Sequence, residues 1–116
     1  MARTTWRIEI YLPKYYNPDT RGRRNSVEDE KFDRTQVELL SRFGAVTRTG
    51  KVPLRIISRL WRHRGVLHED DIVTFIIYTR PAAQTRQFLR RYKRTLEERF
   101  RQLEVLIILT AVEIIR

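Results

Sequence analysis

The run IVTFIIYT, residues 72–79, constrains this chain more than any other stretch. Its residues are β-branched or aromatic and apolar at odd and even positions alike, the pattern of a central strand covered on both faces. Such a strand needs neighbours on either side, and the chain supplies them. Trp6, Ile8, Ile10 and Leu12 alternate with Arg7, Glu9 and Tyr11, the period-two signature of a half-buried strand, which Pro13 stops. AVTRT, residues 45–49, reads as another strand, and the apolar VLIILTAVEII after Glu104 as the last.

Two helices fall between these strands. In FDRTQVELLSRFGA, Asp33 and Gln36 have the spacing of a capping box, with Phe32 and Val37 placed as its hydrophobic staple. Val37, Leu40 and Phe43 then form the expected core stripe, and Gly44 the left-handed stop. Pro81 opens the second helix. On a helical wheel Phe88, Leu89, Tyr92, Leu96, Phe100 and Leu103 share an arc of about 120°, with Arg86, Arg90, Lys93, Arg94 and Arg101 opposite.

The order strand, helix, strand, strand, helix, strand predicts an α+β fold of the ferredoxin-like kind. Two helices lie on one face of a four-stranded antiparallel sheet whose first and third strands are central. All 116 residues form one domain. Residues 14–31 read as a long loop with basic and acidic portions. Residues 50–70 read as an irregular segment with a small hairpin turning at Gly65.

With helices on one face, the other is left to explain. It carries Arg7, Glu9 and Tyr11 from the first strand beside an apolar row such as Ile72, Thr74, Ile76, Tyr78, Leu106 and Ile108. So large a patch seldom stays bare. A homodimer through this open face or an edge strand would cover it, as would residues 54–61 folding back. Tyr11 and Tyr78 would stack bases if the sheet bound RNA as RNA-recognition motifs do, but DDIVTFIIYTR lacks that family's glycine-containing aromatic octapeptide.

Charge points to a class of partner. The chain carries 24 basic against 14 acidic residues, a net charge of +10, which attracts polyanions. Arginine dominates, Lys14, Lys31, Lys51 and Lys93 being the only lysines, and arginine suits bidentate phosphate contacts and stacking. Tyr15 and Tyr16 precede Arg21, Arg23 and Arg24 in the long loop, an aromatic and guanidinium mixture that holds single strands without sequence preference. Arg59, Arg62, His63 and Arg64 form a second basic patch. On the second helix, Lys93 with Glu97, Arg94 with Glu98 and Glu97 with Arg101 are spaced to pair, which leaves Arg86, Arg90 and Arg91 for a partner. The candidate nucleic-acid contacts are thus Tyr15, Tyr16, Arg21, Arg23, Arg24, Arg62, Arg64, Arg86 and Arg90.

Catalytic signatures are missing from the sequence. There is no cysteine, no glycine-rich phosphate loop and no serine elbow. His63, His68, Glu69, Asp70 and Asp71 have metal-binding chemistry but no standard zinc spacing. No metal or cofactor is expected. MARTTWRIEIYLP lacks the apolar run of a signal peptide, and the apolar run at residues 105–109 is too short to span a bilayer, so a cytoplasmic protein without a membrane anchor is expected.

KFDRTQVELLSRFGAVT, the LWR at Leu60, the DDIVTF at Asp70 and FLRRYKRTLEERFRQLEVLI together resemble a group of small bacterial proteins, found often in cyanobacteria. The resemblance runs from Trp6 to Ile115 and rests on helix starts, the glycine stop and core aromatics. Members usually carry two glycines after the phenylalanine, where this chain has Gly44 and Ala45. It implies the same ferredoxin-like pattern and no particular activity. The expected role is a non-catalytic binding or accessory module that contacts nucleic acid. The alternatives are a protein-interaction or small-ligand regulatory subunit of a larger assembly, and a metal-dependent hydrolase.

Overall fold

The computed structural model describes residues 4–50 and 72–115. Two strands flank a helix and then the pattern repeats: β1 (Thr4–Pro13), α1 (Asp29–Phe43), β2 (Thr47–Thr49), β3 (Ile72–Thr79), α2 (Ala83–Arg99) and β4 (Leu106–Glu113). The strands form one sheet in the order β2-β3-β1-β4, and every neighbouring pair is antiparallel. β1 and β3 are central, as their apolar runs predict. β1 ends at Pro13, as the sequence predicts, with Pro13 itself still paired with Ile72.

The register puts Ile8, Ile10 and Leu12 beside Ile77, Phe75 and Val73 on the helix-covered face. Together with Phe32, Leu39, Leu89, Tyr92, Leu96 and Phe100 they form the core. The inward arc of α2 is therefore as the wheel places it, with one exception. Leu103 is 98% exposed, because the helix ends at Arg99 and the following turn takes Leu103 out of the helical phase.

α1 starts a turn earlier than the capping pattern suggests. Its N-cap is Glu28, not Asp33, and Asp29 and Glu30 supply the acidic first turn that suits the helix dipole. That start sets a different inward stripe, Phe32, Thr35 and Leu39 with Phe43 partly buried, and Phe32 packs 5.1 Å from the Phe100 ring. Val37 and Leu40 consequently face outward, Val37 being 65% exposed. Asp33 and Gln36 are indeed neighbours on one helix face, but what they hold is the guanidinium of Arg48 on β2, at 2.9 and 3.2 Å. Gly44 ends the helix as expected. Its φ of 83° is one that glycine adopts without strain, and its N–H donates to the Leu40 carbonyl at 2.8 Å. β2 is shorter than AVTRT, and α2 begins two residues after Pro81.

The sheet's second face is not open along its whole length. Glu9 and Tyr11 lie between Ile76 and Thr74 of β3 and Ile108 and Leu106 of β4, and Glu9, Tyr11, Ile72 and Thr74 are all buried within the single chain. Tyr11 is therefore not a platform for a base. Its hydroxyl donates to the Glu9 carboxylate, which also lies 3.3 Å from Arg7 Nε. Tyr78 is exposed and Ile76, Leu106 and Ile108 are half-buried, so an open-face dimer would have a smaller patch than expected. The suggested cover from residues 54–61 and the hairpin at Gly65 lie outside the described residues.

Candidate nucleic-acid interface

The expected long loop is an ordered arm. After β1 the backbone pairs with itself: Val27 N–H donates to the Lys14 carbonyl at 2.8 Å and Tyr16 N–H to the Asn25 carbonyl at 2.9 Å, with Tyr15 and Ser26 forming an antiparallel bridge. Nearer the tip, Asp19 N–H donates to the Arg23 carbonyl, and Gly22 N–H to the Asp19 carbonyl, each at 2.9 Å. The Asp19 side chain completes the turn, Oδ1 accepting from the N–H groups of Arg21 and Arg23 at 2.9 Å each. Gly22 takes the left-handed conformation, φ 76°, that this turn requires.

Pairing gives the arm two sides, and the two tyrosines separate onto them. Tyr16, expected as an exposed stacking residue, is 8% exposed and belongs with Val27 in the core. Its hydroxyl lies between the Glu28 carboxylate and the Lys31 ammonium, and Lys31 and Arg101 place cations 4.9 and 4.7 Å from its ring. The Tyr16 hydroxyl bond, foremost, holds the Glu28 carboxyl below the usual glutamate range. Tyr15 is half-buried and carries the Arg24 guanidinium 4.8 Å from its ring centre. Arg21 and Arg23 stand exposed at the tip, and the Asp19 carboxylate binds their backbone, not their guanidinium groups.

The base of the arm is fixed to both helices. Lys31 Nζ donates to the Arg99 carbonyl at 2.8 Å. Arg99 in turn reaches across to α1, where its two terminal nitrogens donate to the two Glu38 carboxylate oxygens at 2.7 and 2.9 Å, and Nη1 also donates to Thr35 Oγ1 at 2.8 Å. The Tyr92 hydroxyl donates to Glu38 at 2.8 Å. Only 7% of the Arg99 side chain is exposed. Burial opposes the charge on Glu38, but the bonds from Arg99 and Tyr92 outweigh it and lower its carboxyl pKa. Burial and then the bond to Glu38 push the Tyr92 hydroxyl well above its ordinary value. The sequence reading missed this network, whose members are up to 68 residues apart.

On α2, Arg86, Arg90 and Arg94 are exposed and recur every four residues, a stripe about 12 Å long at 1.5 Å per residue. Arg86 lies over the Trp6 ring, 4.7 Å from its centre. Lys93 pairs with Glu97 at 2.6 Å. Glu97 does not continue to Arg101, as helical spacing suggests. Past the end of α2 its carboxylate accepts the Val105 N–H at 3.0 Å, while Arg101, with φ 51°, turns to Tyr16. Burial opposes the Glu97 charge too, and the bonds from Lys93 and Val105 prevail to lower its pKa.

Of the expected contacts, then, Tyr15, Arg21, Arg23 and Arg24 share the arm, Arg86 and Arg90 share α2, and Tyr16 is removed to the core. Arg62 and Arg64, with Arg59 and the cluster His63, His68, Glu69, Asp70 and Asp71, lie outside the described residues. Among the described residues no three acidic or histidine side chains gather to hold a metal ion, and no helix is long and apolar enough to cross a membrane. No family model, no curated protein and no solved structure matches the chain.

Proposed function

We propose that this chain is a non-catalytic binding module that holds the phosphate backbone of nucleic acid through arginines kept outside its fold. The observation that carries this reading is the arm tip. Its backbone is fixed by Asp19, while Arg21 and Arg23 extend into solvent with no carboxylate against either guanidinium among the described residues. A fixed backbone lowers the ordering cost of binding, and an unpaired guanidinium is a bidentate phosphate donor. Arg24 over Tyr15 adds a stacking pair, and the Arg86, Arg90 and Arg94 stripe extends the positive surface along α2. Such a contact reads charge and spacing, not base sequence.

The same proposal includes the ferredoxin-like class, supported by the connections. α1 joins β1 to β2 across β3, and α2 joins β3 to β4 across β1. It also includes a cytoplasmic location and kinship with the small bacterial proteins that the sequence resembles.

Fluorescence anisotropy with a labelled single-stranded oligonucleotide tests the reading. Replacing Arg21, Arg23 and Arg24 by alanine is expected to weaken binding at least tenfold with the fold intact. Unchanged affinity would remove the arm from the interface. A protein-interaction role is the second reading, favoured by Val37 and Leu40, exposed on the outer side of α1 within one turn. It predicts instead a partner retained at high salt and lost with Val37→Asp.

A further inference from the structure

The four-stranded sheet has two edges of very different construction. At one lies β2, three residues long with Arg48 at its middle. At the other lies β4, eight residues long, LIILTAVE, with no proline, glycine or lysine and a single charge, Glu113, at its end. Proteins ordinarily guard a free edge by shortness, charge, proline or a bulge. The β2 edge has the first two, and β4 has none along most of its length.

Among the described residues β4 bonds to β1 on one side and to no strand on the other. Along its length the side chains range from half-buried to exposed, Thr110 and Ala111 being exposed. Apolar exposure continues past the strand, where Ile115 is 84% accessible. We infer that a second copy of this chain pairs with β4, antiparallel, about a two-fold axis passing through Thr110 perpendicular to the sheet.

Three features single out a second copy as the occupant. First, a two-fold axis in that direction keeps both sheet faces continuous, so only residues of the same face come opposite one another. Centred on Thr110 it sets Thr110 against itself, Ile108 against Val112 of the copy, Leu109 against Ala111 and Leu106 against the exposed Ile114. These are threonine and aliphatic pairs of the kind that stabilise antiparallel ladders, and no like charges meet, since Glu113 faces Ile107.

Second, two molecules of net charge +10 repel, and β4 is where they approach with no basic side chain on the strand. Third, the edge offers a partner little beyond aliphatic side chains and backbone groups, which gives an acidic or basic protein nothing to recognise and an identical strand everything. The inference stands independently of the polyanion reading, and it would set two arms on one assembly.

The chain contains no cysteine, which makes the test direct. Sedimentation equilibrium of the full chain is expected to show a dimer that strengthens as salt screens the repulsion. Thr110→Cys treated with a short bis-maleimide should cross-link at least tenfold faster than Leu103→Cys, whose position is 98% exposed. Thr110→Lys should sediment as a monomer with an unchanged circular dichroism spectrum. A wild-type chain that stays monomeric overturns the inference. So does a dimer that cross-links no faster at position 110 than at 103, or one that Thr110→Lys leaves intact.

Discussion

Arg99 and Arg21 are the same residue type put to opposite uses. Arg99 lies between two helices, 7% of its side chain exposed, its guanidinium matched oxygen for nitrogen by Glu38. Arg21 stands at the arm tip, exposed, with the nearby carboxylate of Asp19 directed at its backbone N–H. The net charge of +10 cannot distinguish the two. What distinguishes them is whether the fold brings a carboxylate to the guanidinium. The buried arginine holds the helices together, and the exposed one is left for the polyanion contact we propose.

That contrast breaks most readily at Arg99. Arg99→Ala leaves Glu38 without its main partner, and because Glu38 is itself about one-third exposed the expected loss is about 2–3 kcal/mol of unfolding free energy, below the range for a fully buried pair. Urea denaturation measures it. Arg21→Ala and Arg23→Ala should each stay within about 0.5 kcal/mol of wild type, as surface changes do.

Acid titration sharpens the same distinction. Glu38 has a lowered pKa in the fold, so the stability it contributes is fully present above the ordinary carboxylate value of about 4.3 and is lost as pH falls through its lower native value. Glu38→Gln should flatten the stability profile below about pH 4.3. A Glu38→Gln profile as steep as wild type would place the acid sensitivity elsewhere.

The smallest expected effect is at the arm. Asp19→Asn keeps a side-chain oxygen for the N–H groups of Arg21 and Arg23 while removing a negative charge beside them. Affinity for an oligonucleotide should therefore rise, by about two- to fivefold at low salt. Asp19→Ala removes the oxygen as well and should give a smaller gain or a loss, read by the same anisotropy titration.

Local periodicity made the strands and the inner side of α2 legible. IVTFIIYT is β3 residue for residue, and Phe88, Tyr92 and Leu96 lie on the core side because a 3.6-residue repeat fixes their direction. Gly44 was equally plain, since few residues other than glycine tolerate its backbone angle. The start of α1 was misread because Asp33 and Gln36 fit two uses, a cap or a helix-face pair, and the choice depends on Arg48 from a later strand.

Tyr16 in the core, and the Glu38, Arg99 and Tyr92 network, were hidden for a related reason. Each is settled by contacts between segments far apart in sequence, which a local pattern does not encode. Glu9 was within reach. It sits in register between Ile76 and Ile108 on a central strand and is 2% exposed, with the Tyr11 hydroxyl and Arg7 against its carboxylate.

The central claim is that Arg21 and Arg23, which meet no carboxylate with their guanidinium groups among the described residues, bind phosphate. The most direct measurement is the salt dependence of oligonucleotide affinity for wild type and for the Arg21→Ala, Arg23→Ala double variant. Each phosphate contact on a single strand contributes about 0.7 to the slope of log K against log salt, so the variant's slope should be shallower by about 0.7 per arginine removed. Equal slopes, or an affinity that does not respond to salt, would contradict the account.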